Sequence, residues 1–243
     1  MLTIEKDRVM GRVSVADIAL NHPQAIEILN RYNLDYCCNG KKSFVEVCQK
    51  ENLDAAAIWE EIMEKQIQTG SDHRMKFNTW SPSLLVDFIV QHHHSYIKES
   101  IPHIHELLSK VCLVHASDQP ELIEVLRLFV QLAEELTDHM LKEEVVLFPA
   151  IRRITARKDR LLESSSTINI RTPLSVMEHE HESAGDLLKT IRSLSNQYTP
   201  LAHACPTFQL TFKLLKEFDH DLMQHIHLEN NILFPKVKSP QVG

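Results

Sequence analysis

His139-Met-Leu-Lys-Glu143, running on into Glu144-Val-Val-Leu147-Phe148-Pro149, and His225-Ile-His-Leu-Glu229, running on into Asn230-Asn-Ile-Leu233-Phe234-Pro235, are two copies of one pattern. Both read H-x-x-x-E-x-x-x-L-F-P, 86 residues apart. A His and a Glu four residues apart stand one above the other on the same helix face. Imidazole and carboxylate together suit iron or manganese better than magnesium or calcium. One such pair is weak evidence for a metal. Two copies with the same tail ask for a matching set elsewhere in the chain.

That set is present. The repeat aligns the second of two helical hairpins on the first, and His94 then falls on His181, 87 residues apart. His94 to His139 spans 45 residues, and His181 to His225 spans 44. Each hairpin therefore offers one His from its first helix and a His/Glu pair from its second. Six donors, His94, His139, Glu143, His181, His225 and Glu229, fit a two-metal site with bridging carboxylates. Structural zinc sites take four ligands, commonly thiolates, and fit poorly. The first helix carries His92-His93-His94 beside an apolar face of Val86, Val90, Ile97, Ile101, Ile104 and Leu108. At 100° per residue His93 and His94 flank that face and His92 points away. The repeat prefers His94 and keeps His93 as second choice.

Proline and capping signals frame four long helices. Ser81-Pro82 and Thr172-Pro173 are N-caps followed by proline at the first helical position. The spacing predicts helices from Pro82 to about Leu113, with a bend near Pro102, from Pro120 to about Ile154, from Pro173 to about Tyr198, and from Pro206 to about Pro235. Residues 155–171 read as a polar crossover. Helices of this length span about 38–52 Å, the dimensions of a four-helix bundle. Glu135 and Asp221 lie four residues before His139 and His225, and Glu180 adjoins His181. Such carboxylates orient ligand imidazoles, move protons, or merely face solvent. Ala184 and Gly185 allow close helix approach or leave space above the metals. Leu132, Leu136, Val146, Phe218, Leu222 and Ile232 form a dry wall. The L-F-P tails read as apolar packing followed by a proline that ends the helix. His22, His73, His103, His105, His115, His203, His220 and His227 read as surface residues.

Ahead of the bundle, residues 1–69 read as a small domain of short helices, 70–80 as a linker, and 81–243 as the bundle. Ser14 with Asp17 and Ser43 with Glu46 have capping-box spacing, Pro23 opens a helix, and Asp54 caps Ala55–Gln68. Cys37-Cys38-Asn39-Gly40 is a turn. The two thiols are small buried side chains at that turn, a redox pair, or a soft pair for iron in transit. A disulfide between adjacent residues is strained and readily reduced.

Composition agrees with an all-α chain. There are 5 glycines in 243 residues, where average usage gives roughly 17, and tight strand turns lean on Gly. The net charge of −7 argues against nucleic acid or an anionic membrane as partner. The N-terminus lacks an apolar stretch of signal-peptide length, and no run reaches the roughly 18 apolar residues of a membrane span. A cytoplasmic location is the expectation, and five cysteines without framework spacing fit a reducing compartment. Histidine is abundant, at 15.

These residues resemble a known family. The bundle is similar to a hemerythrin-like up-down four-helix domain. The whole chain resembles the repair-of-iron-centres (YtfE/ScdA-like) proteins, which repair iron–sulfur clusters damaged by nitric oxide or peroxide. The resemblance rests on Val15-Ala-Asp-Ile18 through Asp35-Tyr-Cys37-Cys38-Asn-Gly40, on Val176 through Gly185, on His139 to Glu143 and on Asp221 through Glu229-Asn-Asn. Asn39 departs from the glycine that relatives often carry there. The resemblance implies a non-haem di-iron centre with carboxylate and oxo or hydroxo bridges, held by the six residues above. It implies damaged iron–sulfur proteins as partners and nitric oxide or dioxygen as small ligands, and it leaves room for a homodimer. Two activities follow: iron donation, and reduction of nitric oxide to nitrous oxide with Glu135 or Glu180 assisting protons and Cys37 and Cys38 relaying electrons. A hemerythrin-style dioxygen or nitric oxide carrier or sensor is the alternative, and the near-symmetric ligand set counts against it.

Overall fold

Ser14 opens the first helix with a reciprocal cap. Its Oγ accepts from the Asp17 N–H at 3.1 Å, and the Asp17 carboxylate accepts from the Ser14 N–H at 3.2 Å. In this computed structural model, which describes residues 12–68, 75–159 and 170–238, α1 spans Val15–Asn21. A single 3₁₀ turn at Pro23–Ala25 leads into α2, Ile26–Arg31. Then come α3, Phe44–Lys50, and α4, Ala55–Gln68. Asp54 caps α4, with Oδ1 accepting from the N–H groups of Ala56 and Ala57. Ser43 precedes α3 without a side-chain cap bond, so the second capping box does not form. The Ser43 segment instead pairs with the Ser14 segment in an isolated antiparallel bridge, with Phe44 N–H donating to Val13 O. Gly40 is required at this crossing: a Cβ there would stand 2.5 Å from the Tyr36 carbonyl oxygen and 2.9 Å from Ala16 Cβ.

The bundle follows. Ser81 caps α5, Pro82–Phe88, through Leu84 N–H. α6 is Ser95–His115 and α7 is Glu121–Lys142. α8 is Phe148–Asp159, α9 Arg171–Leu194, α10 Pro206–His227 and α11 Phe234–Lys238. α6 packs on α7 and α10, and α7 packs on α9, which also meets α10. The apolar stripes of these helices, at i, i+3, i+4 spacing, meet in the middle. Leu108, Val125, Leu132, Ile191, Phe212 and Leu222 are among the buried residues. Among the described residues there are helices, turns and the one bridge, and no strand. None of the helices among the described residues is long and apolar enough to cross a membrane.

Three windings interrupt the expected straight helices. Ile89–His94, Glu143–Leu147 and Leu228–Leu233 are π-helical turns, joining α5 to α6, α7 to α8 and α10 to α11. In two of them a phenylalanine N–H reaches back five residues, Phe148 to Glu143 O and Phe234 to Glu229 O. The prolines of the L-F-P tails therefore do not end their helices. Pro149 and Pro235 sit in the first turn of the resumed helix, where a missing N–H is tolerated and the fixed φ suits. Helix α6 runs through Pro102 without a break. The crossover is also shorter than 155–171, because α8 reaches Asp159 and α9 begins at Arg171. Of the 70–80 segment, residues 70–74 lie outside the described residues, and Phe77–Thr79 form a 3₁₀ turn. His73 also lies outside them.

Two apolar cores result. The larger unites α1–α4 with α6, α7, α9 and α10, so the small unit is fused to the bundle by burial. The smaller gathers Leu85, Ile89, Phe148, Leu174, Ile232 and Phe234 at the other end. Between them, at the π-turns, lies a layer of buried polar side chains.

Candidate metal centre

The polar layer contains the six residues of the repeat. His94, His139, Glu143, His181, His225 and Glu229 are all buried. They form two overlapping groups, His94–Glu143–His225–Glu229 and His139–Glu143–His181–Glu229, each with donor atoms within 4.8 Å of one another. Both glutamates belong to both groups. Glu143 turns Oε2 to His94 Nε2 at 3.3 Å and Oε1 to His139 Nε2 at 3.4 Å. Glu229 turns Oε1 to His225 Nε2 at 3.2 Å and Oε2 to His181 Nε2 at 3.0 Å. Each carboxylate is thus split between two positions, the geometry of a bridge.

The pairing of histidines crosses the hairpins. His94 shares its group with His225, and His139 shares its group with His181. This follows from α6 packing on α10 and α7 on α9, a neighbour relation the repeat alone does not contain.

The π-turns explain how three of the donors reach inward. His94 ends one turn, Glu143 begins the second and Glu229 lies in the third. A π-turn inserts an extra residue and re-aims the side chains beside it, and such bulges concentrate at functional sites.

The layer fits a cation on its own terms. Both oxygens of Glu143 and of Glu229, and Nε2 of His94 and His225, are buried, and their mutual contacts at 3.0–3.4 Å lack hydrogen-bond geometry. Buried charged groups left like this are costly unless paired or bound to metal. His139 Nε2 and His181 Nε2 face each other at 3.0 Å, an approach that two bare imidazole lone pairs make only around a shared positive centre or proton. Electrostatics point the same way. Burial is the largest influence on His139 and lowers it, yet Glu143 with Glu229 and Glu180 outweigh it and raise the imidazole to about 9. Burial and then Glu229 push Glu143 up, but His139 and His94 bring its carboxyl below the ordinary range. Burial likewise opposes the charge of Glu229, which His225 and His181 hold well below that range. The cage stabilises its carboxylates only by gathering positive charge, and a divalent cation supplies that charge directly.

The outer nitrogens are held in a pattern that also repeats. Glu144 Oε1 lies 2.8 Å from His94 Nδ1 and 2.7 Å from Lys98 Nζ. Asn230 Oδ1 lies 2.9 Å from His181 Nδ1. Glu144 and Asn230 each follow the motif glutamate, and each holds the His from the first helix of its own hairpin. Sequence reading did not single them out, although their matched place in the repeat was the available signal. Glu180 Oε2 lies 2.8 Å from His139 Nδ1, and its other oxygen accepts from Lys142 at 2.6 Å. This fixes tautomer and ring orientation, as outer partners of metal-bound His do.

Other expectations shift. Glu135 is exposed, accepts from Gln131 and Ser183, and is not among the residues at the cage. One turn before His139 on α7, it is displaced along the helix axis. Asp221 bonds His93 instead of a cage histidine. Val146 is 58% exposed and forms no wall, because the π-turn rotates it outward. Of the three consecutive histidines His93 and His94 are buried and His92 is exposed. His227, expected at the surface, is buried edge-on against Tyr36, and His22, His115 and His220 are half-buried.

The cysteine turn docks on the cage. The Asp35 carboxylate accepts from the N–H groups of Cys37, Cys38 and Asn39. The two sulfurs stand 3.3 Å apart as free thiols. Cys38 Sγ lies 3.2 Å from the His181 carbonyl oxygen, and Asn230 Nδ2 donates to the Cys37 carbonyl oxygen at 3.2 Å. Gly185 serves this contact: a Cβ there would meet Cys38 Sγ at 3.0 Å. Its smallness makes room for a thiol, not for another helix.

Comparison with known proteins agrees with this architecture. The family model for the hemerythrin HHE cation binding domain matches residues 85–237, and a domain of unknown function, DUF542, matches residues 12–66. The iron-sulfur cluster repair protein YtfE of Shigella boydii is 33% identical over 225 residues, covering 91% of this chain and 94% of that protein. A probable iron-sulfur cluster repair protein of Haemophilus influenzae is 32% identical over 223 residues, covering 92% and 95%. The YtfE of Citrobacter koseri is 33% identical over 223 residues, covering 91% and 94%.

Proposed function

This chain belongs to the YtfE-like iron–sulfur cluster repair family, built on a hemerythrin HHE cation-binding bundle, and from that premise we propose that it repairs iron–sulfur clusters damaged by nitrosative or oxidative stress, acting on the damaged proteins as an iron donor. The proposed ligands of a non-haem di-iron centre are His94, His139, Glu143, His181, His225 and Glu229. The observation that carries this reading is the split carboxylate geometry, in which each glutamate offers one oxygen to each of two histidine pairs. Two ferrous ions held there would supply exchangeable iron and, between them, two electrons. Two carboxylates leave a pair of divalent cations half neutralised, and the set contains no thiolate, which suits release over permanent retention.

The chain's own residues perform the rest. Glu144, Glu180 and Asn230 orient three of the imidazoles, and the two apolar cores exclude water above and below. Glu180 is partly exposed and linked to both His139 and Lys142, so it stands where a proton passes between solvent and the cage wall. That link favours a second, compatible activity, reduction of nitric oxide: 2 NO + 2 e⁻ + 2 H⁺ → N₂O + H₂O. Cys37 and Cys38 are candidates for returning electrons.

The test is to mix iron-loaded protein with an enzyme whose cluster nitric oxide has damaged. Activity should return faster and further than with an equal amount of ferrous salt. Recovery no better than the salt control overturns iron donation. Absence of nitrous oxide under anaerobic turnover removes the second activity and leaves the first.

A further inference from the structure

The two halves of the bundle differ at the position just before the first-helix histidine. Glu180, just before His181, reaches across to hold His139 Nδ1. Its counterpart just before His94 is His93. His93 also reaches the histidine of the other hairpin, but it stacks on the His225 ring, centroids 5.5 Å apart and planes 8° apart. His225 Nδ1 is left buried without a partner. His93 turns its Nδ1 to Asp221 Oδ1 at 3.0 Å, and His92 lies beside it with ring centroids 4.8 Å apart.

We propose that His92, His93 and Asp221 form an auxiliary site for a single divalent transition-metal cation, outside the six-residue cage and next to it. Each of the three offers one ligand atom, and those atoms lie within 4.8 Å of one another. Two further observations point to a ligand. His93 is fully buried with its Nδ1 turned to Asp221, where an ion held by both residues would sit, and Asp221 Oδ2 is buried without a partner. A hydrogen-bonded His–Asp pair serving only the fold has no need of an unmatched carboxylate oxygen. Two imidazoles and one carboxylate with remaining positions open to water are the donor set of non-haem ferrous sites and of several zinc sites. With metal–ligand bonds of about 2.0–2.2 Å, ligand atoms stand within about 4.4 Å, and a small rotation of the exposed His92 ring closes the difference. The π-turn at Ile89–His94 carries both histidines, as such turns do at functional sites. His92 is exposed while His93 lies against His225, so the site is open to solvent on one side and touches the cage wall on the other. It rests on the cage reading only in being counted beside it.

Cobalt(II) is the probe, counted per chain by equilibrium dialysis of the untagged, metal-free full-length protein. The wild type should bind one more cobalt than His92→Ala and than Asp221→Asn, and that extra ion should persist in the cage variant His139→Leu. Equal cobalt counts in wild type, His92→Ala and Asp221→Asn overturn the site. A count that falls in His139→Leu but not in His92→Ala supports the cage alone. A His92-dependent ion without the cage ions supports this site and removes the di-metal reading. His92 is exposed, so its variant folds, and Asp221→Asn keeps the shape of the side chain.

Discussion

Cys38 Sγ lies 3.2 Å from the main-chain carbonyl oxygen of His181. A thiol of the small N-terminal unit therefore touches the backbone of a residue whose ring faces the cage. Asn230 completes the link, holding the His181 ring with its oxygen and the Cys37 carbonyl with its nitrogen. The cysteine turn and the cage are one packed assembly.

Gly185 decides whether that contact can form. A branched side chain at this position cannot share the space with the Cys38 sulfur. Gly185→Val should displace the turn and speed alkylation of Cys38 several-fold, while the gain in helix propensity over glycine, about 0.5 kcal/mol, leaves α9 intact. Mass spectrometry of timed iodoacetamide reactions measures it. An unchanged rate would mean that the turn does not need this gap.

Removal of a cage ligand should empty the cage. His139→Leu and Glu229→Leu are expected to lose most bound iron, measured by elemental analysis and by the optical spectrum of the purified protein. Cys37→Ala should retain it, since Cys37 meets the cage only through its carbonyl bond to Asn230. Iron loss in Cys37→Ala equal to that of the ligand variants would place the site elsewhere.

Asn230→Ala keeps all six ligands and removes the oxygen that orients His181. Loss of such an outer partner commonly costs 10–100-fold in metal affinity. Competition with a chelator of known strength should show a weakening in that range. Asn230→Asp, which keeps the acceptor, should restore most of it. Equal affinity in wild type and Asn230→Ala would show that ring orientation is set by packing alone.

The Cys37 thiol is pushed well above its ordinary value, first by its bond with Cys38 and then by burial and the nearby Asp35. Raising a thiol pKa removes thiolate at every pH below it. Alkylation of Cys37 in the folded protein should therefore be slow at pH 7 and climb with pH through 9 without levelling. In urea it should be half-maximal at about pH 8.5 and level by about pH 10, as an ordinary cysteine does. A plateau below pH 8 in the native state would contradict this environment.

Much of the cage was legible because the signals are local. His and Glu four apart mark one helix face, and the doubled L-F-P fixes the register between hairpins. Ser14, Asp54 and Ser81 announced helix starts for the same reason. Local spacing does not report helix irregularity. The π-turns at Ile89, Glu143 and Leu228 were invisible, since they arise where inward-facing polar groups, followed in two of the three by Pro149 or Pro235, distort a helix that propensity would keep straight. Val146 and the role of the L-F-P prolines were misplaced on that account. His227 seemed a surface residue until Tyr36, nearly two hundred positions earlier, covered it.

The sequence by itself determined that the chain is helical, that two hairpins repeat, and that six His and Glu side chains face inward at matched levels. These follow from helical periodicity, which any stretch of chain carries within itself. Only the tertiary structure decided that His94 stands with His225 and His139 with His181, that Glu144, Glu180 and Asn230 hold three of the rings, and that Cys38 rests on the backbone of His181. Those pairings depend on which helix faces bury against which, and that is settled by the packing of the whole apolar core.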